Sequence, residues 1–220
     1  MLIDHVLHLD SEAVIVDKPS GLPVDPPRDG SISVANHLQS LTLGYREWPS
    51  PVHRLDRDTS GCLMLGRSAK AHKRLSQAFE AGLVQKRYLA ILAGLPDGED
   101  GVVDMALGKT STAADGWRMV PDAGGKPAQT QWQVMAVNGP LALVALTPRT
   151  GRTHQLRVHC ASGLGHAILG DIVYGTAHPA GLMLHAADLT LDRPGKTAIR
   201  AHAPFPARFA ALGFADPDAD

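Results

Sequence analysis

His53-Arg54-Leu55-Asp56-Arg57-Asp58-Thr59-Ser60-Gly61 puts a histidine, two arginines, two aspartates, two hydroxyls and a glycine into nine residues. The apolar run Cys62-Leu63-Met64-Leu65 follows at once, and the turn-forming Trp48-Pro49-Ser50-Pro51 precedes it. The pattern predicts a polar loop feeding a buried strand, because Gly61 closes the polar run and the apolar run is strand length. Polar groups this dense at the mouth of a buried strand are costly to desolvate unless they pair with one another or with a ligand. Asp56 has arginines at 54 and 57, and a nearby guanidinium keeps a carboxylate ionised. A salt-bridged structural loop and a catalytic carboxylate both fit these residues.

Working outward, His5 to Leu9 and Glu12 to Val16 predict a hairpin around Asp10-Ser11. Asp17-Lys18-Pro19-Ser20-Gly21-Leu22-Pro23 is a fixed turn, with Lys18 read as a solvated turn residue in preference to an anion contact. Ser33 to Leu43 carries Val34, Leu38 and Leu41 at helical spacing behind a Ser31 or Ser33 cap. Ser68 caps a second helix reaching Glu80, with Leu75, Ala78 and Phe79 facing the core and Gly82 as its stop. Gln85 to Ala93, Ala128 to Val137, Leu141 to Leu146, Leu182 to Ala186 and Leu189 to Leu191 read as strands, while Asp97 to Asp104 reads as an acidic loop. Lys109 to Lys126 is polar and glycine-rich with no sustained period, and Thr150 to His159 is a second dense polar cluster that a helix would split between two faces. Strands linked mostly by turns predict an α+β fold with a mixed, largely antiparallel sheet.

Composition narrows the function. The 220 residues carry 44% apolar and 20% charged side chains and a net charge of −1, typical of a soluble globular chain without a global basic field. Between Arg46 and Tyr88, however, nine Lys/Arg stand against four acids. Such a local excess suits phosphate. Cys62 and Cys160 read as buried apolar thiols of a reducing compartment, and no signal peptide or membrane-length apolar run is apparent, so a cytoplasmic location is expected. The eleven histidines offer no compact zinc pattern, and the P-loop, dinucleotide and serine-elbow fingerprints are absent. No metal and no cofactor are expected. Asp56 with Asp58 could also form a glycosidase-type carboxylate pair.

His53-Arg54-Leu55-Asp56 with Thr59-Ser60-Gly61 resembles the signature of the RluA-type pseudouridine synthases. Asp17 to Leu22, Lys86-Arg87-Tyr88, Gly151 to His159, Leu169-Gly170-Asp171 and Leu184-His185-Ala186 resemble further motifs of that family, in its order and over nearly the whole chain. The resemblance implies a pseudouridine synthase fold: one catalytic domain over 1–220 in two halves, a central mixed sheet with flanking helices, and an RNA-binding cleft. It implies isomerisation of uridine to pseudouridine in ribosomal or transfer RNA without metal or cofactor. Asp56 matches the nucleophile, Tyr88 the tyrosine that stacks on the target base, and Arg157 the basic residue that ion-pairs with the aspartate. Leu184 falls where an apolar residue packs against the pocket, and Arg54 where a side chain fills the space left by the extruded base. Attack on C1′, addition at C6 and abstraction of the C2′ proton all remain open to Asp56. The chain has no room before Val14 for the S4-type RNA-binding domain common in relatives, and a monomer is expected. A non-catalytic RNA-binding module of this fold, and a nucleoside or glycoside hydrolase using Asp56 and Asp58, are the rival readings.

Overall fold

The computed structural model describes residues 1–112 and 116–219, and these divide into two compact units. The first takes in Met1–Lys86 and His185–Pro204, the second Arg87–Leu184 and Phe205–Asp220.

In the first unit β1 (Val6–Leu9) and β2 (Ala13–Lys18) form the expected hairpin. The Asp10 carboxylate closes it by accepting the backbone N–H groups of Glu12 and Ala13. The two-residue β3 (Ser50–Pro51) and β2 both pair antiparallel with β4 (Ser60–Gly66), the strand read from the Cys62–Leu65 run, which is buried along its whole length. Helix α1 (Ala69–Glu80) begins where predicted, with Ser68 Oγ accepting from the Ala71 N–H at 3.2 Å. It ends where Gly82 adopts φ +70°, letting the Leu83 N–H reach back to the Ala78 carbonyl. Leu75 and Ala78 pack into a core with Ile15, Met64, Leu189 and Ile199. The two strands expected at 182–186 and 189–191 are one, β11 (Leu184–Arg193), whose partner β12 (Lys196–His202) the sequence reading did not anticipate. β4 and β11 run parallel, with Ser60 opposite His185 and Gly61 opposite Ala186. The other pairings described here are antiparallel, so the sheet architecture is mixed and mostly antiparallel, as expected.

Ser33–Leu43 is not the predicted α-helix but two 3₁₀ turns, Val34–His37 and Ser40–Thr42. Hydroxyls decide this: Ser40 donates to the His37 carbonyl and Thr42 to that of Gln39, three residues back, favouring the tighter winding. Leu43 then turns left-handed at φ +47°. Arg67, counted above in the basic stretch, is a buried staple of this region. It donates to the carbonyls of Asp10, Thr42 and Leu43, and the Tyr45 ring lies 3.8 Å over its guanidinium.

The second unit is built on β5 (Gln85–Leu92, from Arg87 onward), β10 (Leu141–Pro148), β9 (Gln129–Asn138) and β6 (Asp100–Asp104), antiparallel in that spatial order. The predicted alternation of β9 holds, with Thr130 and Trp132 buried and Gln131 and Gln133 exposed. β6 lies in the segment expected to be an acidic loop. Its Asp100 and Asp104 are exposed while Val103 is buried, so the acids occupy the wet positions of a strand. The stretch 109–126, which shows no sustained period, holds most of a hairpin of β7 (Leu107–Thr112) and β8 (Gly116–Pro121) followed by a turn over 122–125, while its residues 113–115 lie outside the described residues. Gly151–His154 is not helical. The helix α2 (Gln155–Val158) begins after His154, itself at φ +53°, and runs into π-helical winding over His159–Gly163. A short α3 (Ala207–Ala210) lies near the C-terminal end.

Candidate functional site

The Asp56 loop is held by its backbone. A turn joins the Thr59 N–H to the Asp56 carbonyl at 3.1 Å. The carbonyl of Arg57 accepts from the Gly21 N–H at 3.0 Å and from Lys18 Nζ at 2.9 Å. Ser20 Oγ donates to the Asp58 carbonyl at 2.7 Å. Two segments some 36 residues apart, each read as a motif, are therefore bolted together beside Asp56.

Lys18 is not the solvated residue expected. It is fully buried, and Nζ donates to the carbonyls of Pro19, Leu22 and Arg57. An ammonium has three donors, and a buried one is tolerable where carbonyls satisfy it. Lys18→Met keeps the stem but strands those carbonyls, so we expect a loss of about 3 kcal/mol or more in urea unfolding. A loss below about 1 kcal/mol would show that the clamp is dispensable.

The strand leaving the loop is equally constrained. Gly61 sits at φ +106°, and a Cβ there would lie 2.2 Å from the Ala186 carbonyl oxygen, so the β4–β11 approach requires glycine. Beside it Ser60 Oγ and His185 Nδ1 are 2.8 Å apart in a buried pair.

The arginines flanking Asp56 turn elsewhere. Exposed Arg54 pairs with Asp25 at 3.2 Å, and Arg57 reaches the Gly21 carbonyl at 3.3 Å with Asp58 at 4.0 Å. Adjacency in sequence did not become pairing with Asp56, because side chains in an extended loop fan out to different faces. The basic stretch as a whole also disperses, since Arg74 pairs with Glu12 and Arg87 forks onto Asp218 at 2.7 and 3.0 Å.

His53 packs against α1, its ring stacked on Phe79 at 4.3 Å and its Nε2 accepting the Met64 N–H at 3.0 Å. That hydrogen bond needs an unprotonated nitrogen. Burial first, and the Lys86 charge second, lower the imidazole to about 3. The unfolded chain, with a value near 6.5, takes up the proton first. The stability His53 contributes is thus complete above about pH 6.5 and is lost as pH falls toward 3. His159, lowered by burial, acts with the same sign. We expect stability to fall by about 2 kcal/mol between pH 7 and 5, and His53→Gln to flatten much of that slope. Urea unfolding at both pH values checks it, and a flat wild-type profile would refute it.

In the second unit Tyr88 lies half-buried on β5 opposite Leu146 of β10. Leu184 is buried, with its carbonyl accepting from Arg208. Arg157, on α2, is 8% exposed and forks onto Asp171, Nε to Oδ2 and Nη2 to Oδ1, each at 2.7 Å. Asp171 Oδ1 also accepts the N–H groups of Val173 and Tyr174. Burial would raise this carboxyl, yet the hydrogen bonds and charge of Arg157 hold it below the usual range. The Tyr174 ring lies 5.2 Å from the guanidinium, and its hydroxyl meets His154 Nδ1 at 2.9 Å. Asp171 and Tyr174 are the contacts that hold Arg157 in place; the sequence reading quoted Asp171 within a motif but gave it no role, and did not mention Tyr174. The available signal was Asp171 directly after Gly170 at φ +81°, a turn whose acid caps its own backbone.

Gln155 is the buried hub of the polar cluster. Its Oε1 accepts from the Arg152 N–H and the Thr150 hydroxyl, and its Nε2 donates to the Gln129 carbonyl and to Thr130 Oγ1. This side chain gathers the 150–154 backbone into a loop and explains why the helix waits until 155.

The profile of a family described as RNA pseudouridylate synthase matches residues 12–162. An uncharacterized RNA pseudouridine synthase of Zymomonas mobilis is 52% identical over 217 residues, covering 97% of this chain and 99% of its own. The dual-specificity RNA pseudouridine synthase RluA of Escherichia coli is 36% identical over 197 residues, with 86% and 87% covered. Among solved structures, human RNA pseudouridylate synthase domain containing 4 superposes with a TM-score of 0.79 at 28% identity, over 96% of this chain and 92% of its own.

Proposed function

The chain belongs to the RNA pseudouridylate synthase family, an isomerase family that turns uridine into pseudouridine in RNA, and we propose that it does so in ribosomal or transfer RNA with Asp56 as nucleophile. In this reading residues 1–220 work as one catalytic domain, monomeric and in the cytoplasm. Among the described residues no helix is long and apolar enough to cross a membrane.

The observation that carries the choice of Asp56 is the fastening of its loop. The 18–22 turn holds it from one side, and the Ser60-Gly61 step is fixed against His185-Ala186. Backbone held this firmly fixes the point from which the carboxylate is aimed. The reaction breaks the N1–C1′ bond, turns the base and forms C5–C1′. The proton leaves C5 and N1 gains one, so neither an oxidant nor a leaving group is needed. Asp56 serves as the nucleophile, Tyr88 stacks on the base that has left the helix, and Arg157 supplies the positive charge that keeps a carboxylate ionised away from water. Leu184 contributes apolar packing, and Arg54 fills the space the base vacates. Asp171 fixes the orientation of the Arg157 guanidinium through both of its oxygens.

The test is incubation of the protein with total bacterial RNA labelled with tritium at uracil C5. Release of tritium to water without release of free base is expected, with the modified positions then mapped by sequencing. Free base or sugar in solution would instead identify the hydrolase reading, and silence on both ribosomal and transfer RNA would remove the substrate assignment.

A further inference from the structure

The second unit carries a concavity of about 500 Å³ lined by the backbone of Gly108, Gly124, Gly125 and Gly151 and ringed by Lys109, Lys126 and Arg152. The three cations stand on separately fixed segments. Lys109 lies in β7 opposite Met119. Lys126 is tied by its N–H and carbonyl to the carbonyl and N–H of Leu107. Arg152 is anchored through Nε on the Pro127 carbonyl at 3.0 Å and through its N–H on Gln155. All three are exposed, and no carboxylate among the described residues forms an ion pair with any of them. The Asp122 carboxylate accepts the Gly124 N–H and packs against Gly108, where a Cβ would lie 2.2 Å from its Oδ2. Gly125 must be glycine because a Cβ there would lie 2.4 Å from the Leu107 carbonyl oxygen.

Beside this basic hollow Trp117 on β8 is 42% exposed. Lys109 Nζ is 5.7 Å from its ring centroid, and His154 packs against it at 5.2 Å, edge to face. His154 is in turn held by Tyr174, so the indole is supported from behind and open in front. Cations that pair with no carboxylate among the described residues, set around a glycine-lined hollow, suit phosphodiester oxygens, and an open, supported indole suits the face of an unstacked base.

We propose that this hollow is an RNA-backbone contact within the second unit. Lys109, Lys126 and Arg152 neutralise successive phosphates there, and Trp117 stacks a nucleotide other than the uridine being modified. The proposal rests on the RNA-modifying reading above and deepens it. It gives substrate affinity to a segment that composition alone left featureless.

Binding of unfractionated bacterial tRNA, followed by fluorescence anisotropy across a salt series, tests it on the full chain. The Lys126→Ala/Arg152→Ala protein should show a slope of log affinity against log salt shallower by about 1.5, roughly 0.7 to 0.9 for each lost phosphate contact. Lys126→Arg/Arg152→Lys, which keeps the charges, should restore the slope, whereas a folding defect would not discriminate between the two pairs. Trp117→Ala should weaken binding about tenfold with the slope unchanged. Arg200→Ala, which removes an exposed cation from β12, should change nothing. In tritium release the alanine pair should raise KM with kcat held within about twofold. An unchanged slope in an active alanine pair overturns the proposal, as does a fall in kcat at constant KM. Were the wild type to release no tritium while the slope still fell, the hollow would stand and the assigned reaction would not.

Discussion

Asp56→Asn should cut tritium release from C5-labelled RNA at least about a thousandfold, about 4 kcal/mol of barrier, while RNA affinity stays within about twofold. The amide matches the carboxylate in shape but is no nucleophile at neutral pH. The turn survives the change because the hydrogen bond that closes it, Thr59 N–H to the Asp56 carbonyl, belongs to the backbone, as do the acceptors used by Lys18 and Gly21. A loss of rate without loss of fold is therefore the expected signature, read by comparing urea midpoints with initial rates. Asp58→Asn should retain activity within about threefold, since the Asp58 backbone carbonyl makes the contact to Ser20. Comparable rates for wild type and Asp56→Asn would place the nucleophile elsewhere. Equal dependence on Asp56 and Asp58, with free base released, would restore the carboxylate-pair hydrolase.

The second large effect is on stability. Asp171→Ala leaves the Arg157 guanidinium buried without its carboxylate and strips the N–H groups of Val173 and Tyr174 of their acceptor. Removing one partner of a buried pair costs about 3–5 kcal/mol. For a chain of this size that is a fall of about 10 °C in the unfolding midpoint. The double variant Arg157→Met/Asp171→Leu should recover much of that stability, because replacing the whole pair by apolar groups takes both charges out of the interior. It should nonetheless stay inactive, since the positive charge is gone. Full activity in the double variant would exclude Arg157 from the chemistry. A midpoint shift under about 3 °C for Asp171→Ala would show that the fork onto Asp171 is not what makes the buried guanidinium tolerable.

Local rules carried the reading where one residue settles a local question. Ser68 capped its helix, Asp10 closed its hairpin, and the alternation across Gln129 to Trp132 sorted wet from dry faces. The reading failed where a distant partner decides. Lys18 looks like a turn lysine until the Arg57 carbonyl, 39 residues away, becomes one of its acceptors. Arg54 and Arg57 look like guards of Asp56, but one goes to Asp25 and the other to the Gly21 carbonyl. Gln155 reads as an ordinary polar residue in a helical stretch, whereas four hydrogen bonds make it the tie between the 150–154 loop and β9. The β7–β8 hairpin was hidden because its strands bury little, and without an apolar stripe a two-residue period has nothing to display. The family motifs were legible throughout, since their residues are fixed by contacts that the same motifs supply to one another, as Ser20 does to Asp58 and Ser60 to His185.

The parallel pairing of β4 with β11 also has a bearing on how the chain is born. Ser60 and His185 are 125 positions apart, so on a ribosome adding about 5–20 residues per second β4 waits roughly 6–25 s for its neighbour to be synthesised. During that interval a strand whose seven residues all end up buried has β2 along one edge and, along the other, only the two-residue β3 at Leu65–Gly66 and no β11. Pairings of such long range are slow to close, and the open edge is a template for another nascent chain. Expression yield and dependence on chaperones should accordingly respond more to the hydrophobicity of Cys62–Leu65 than to the stability of the finished protein.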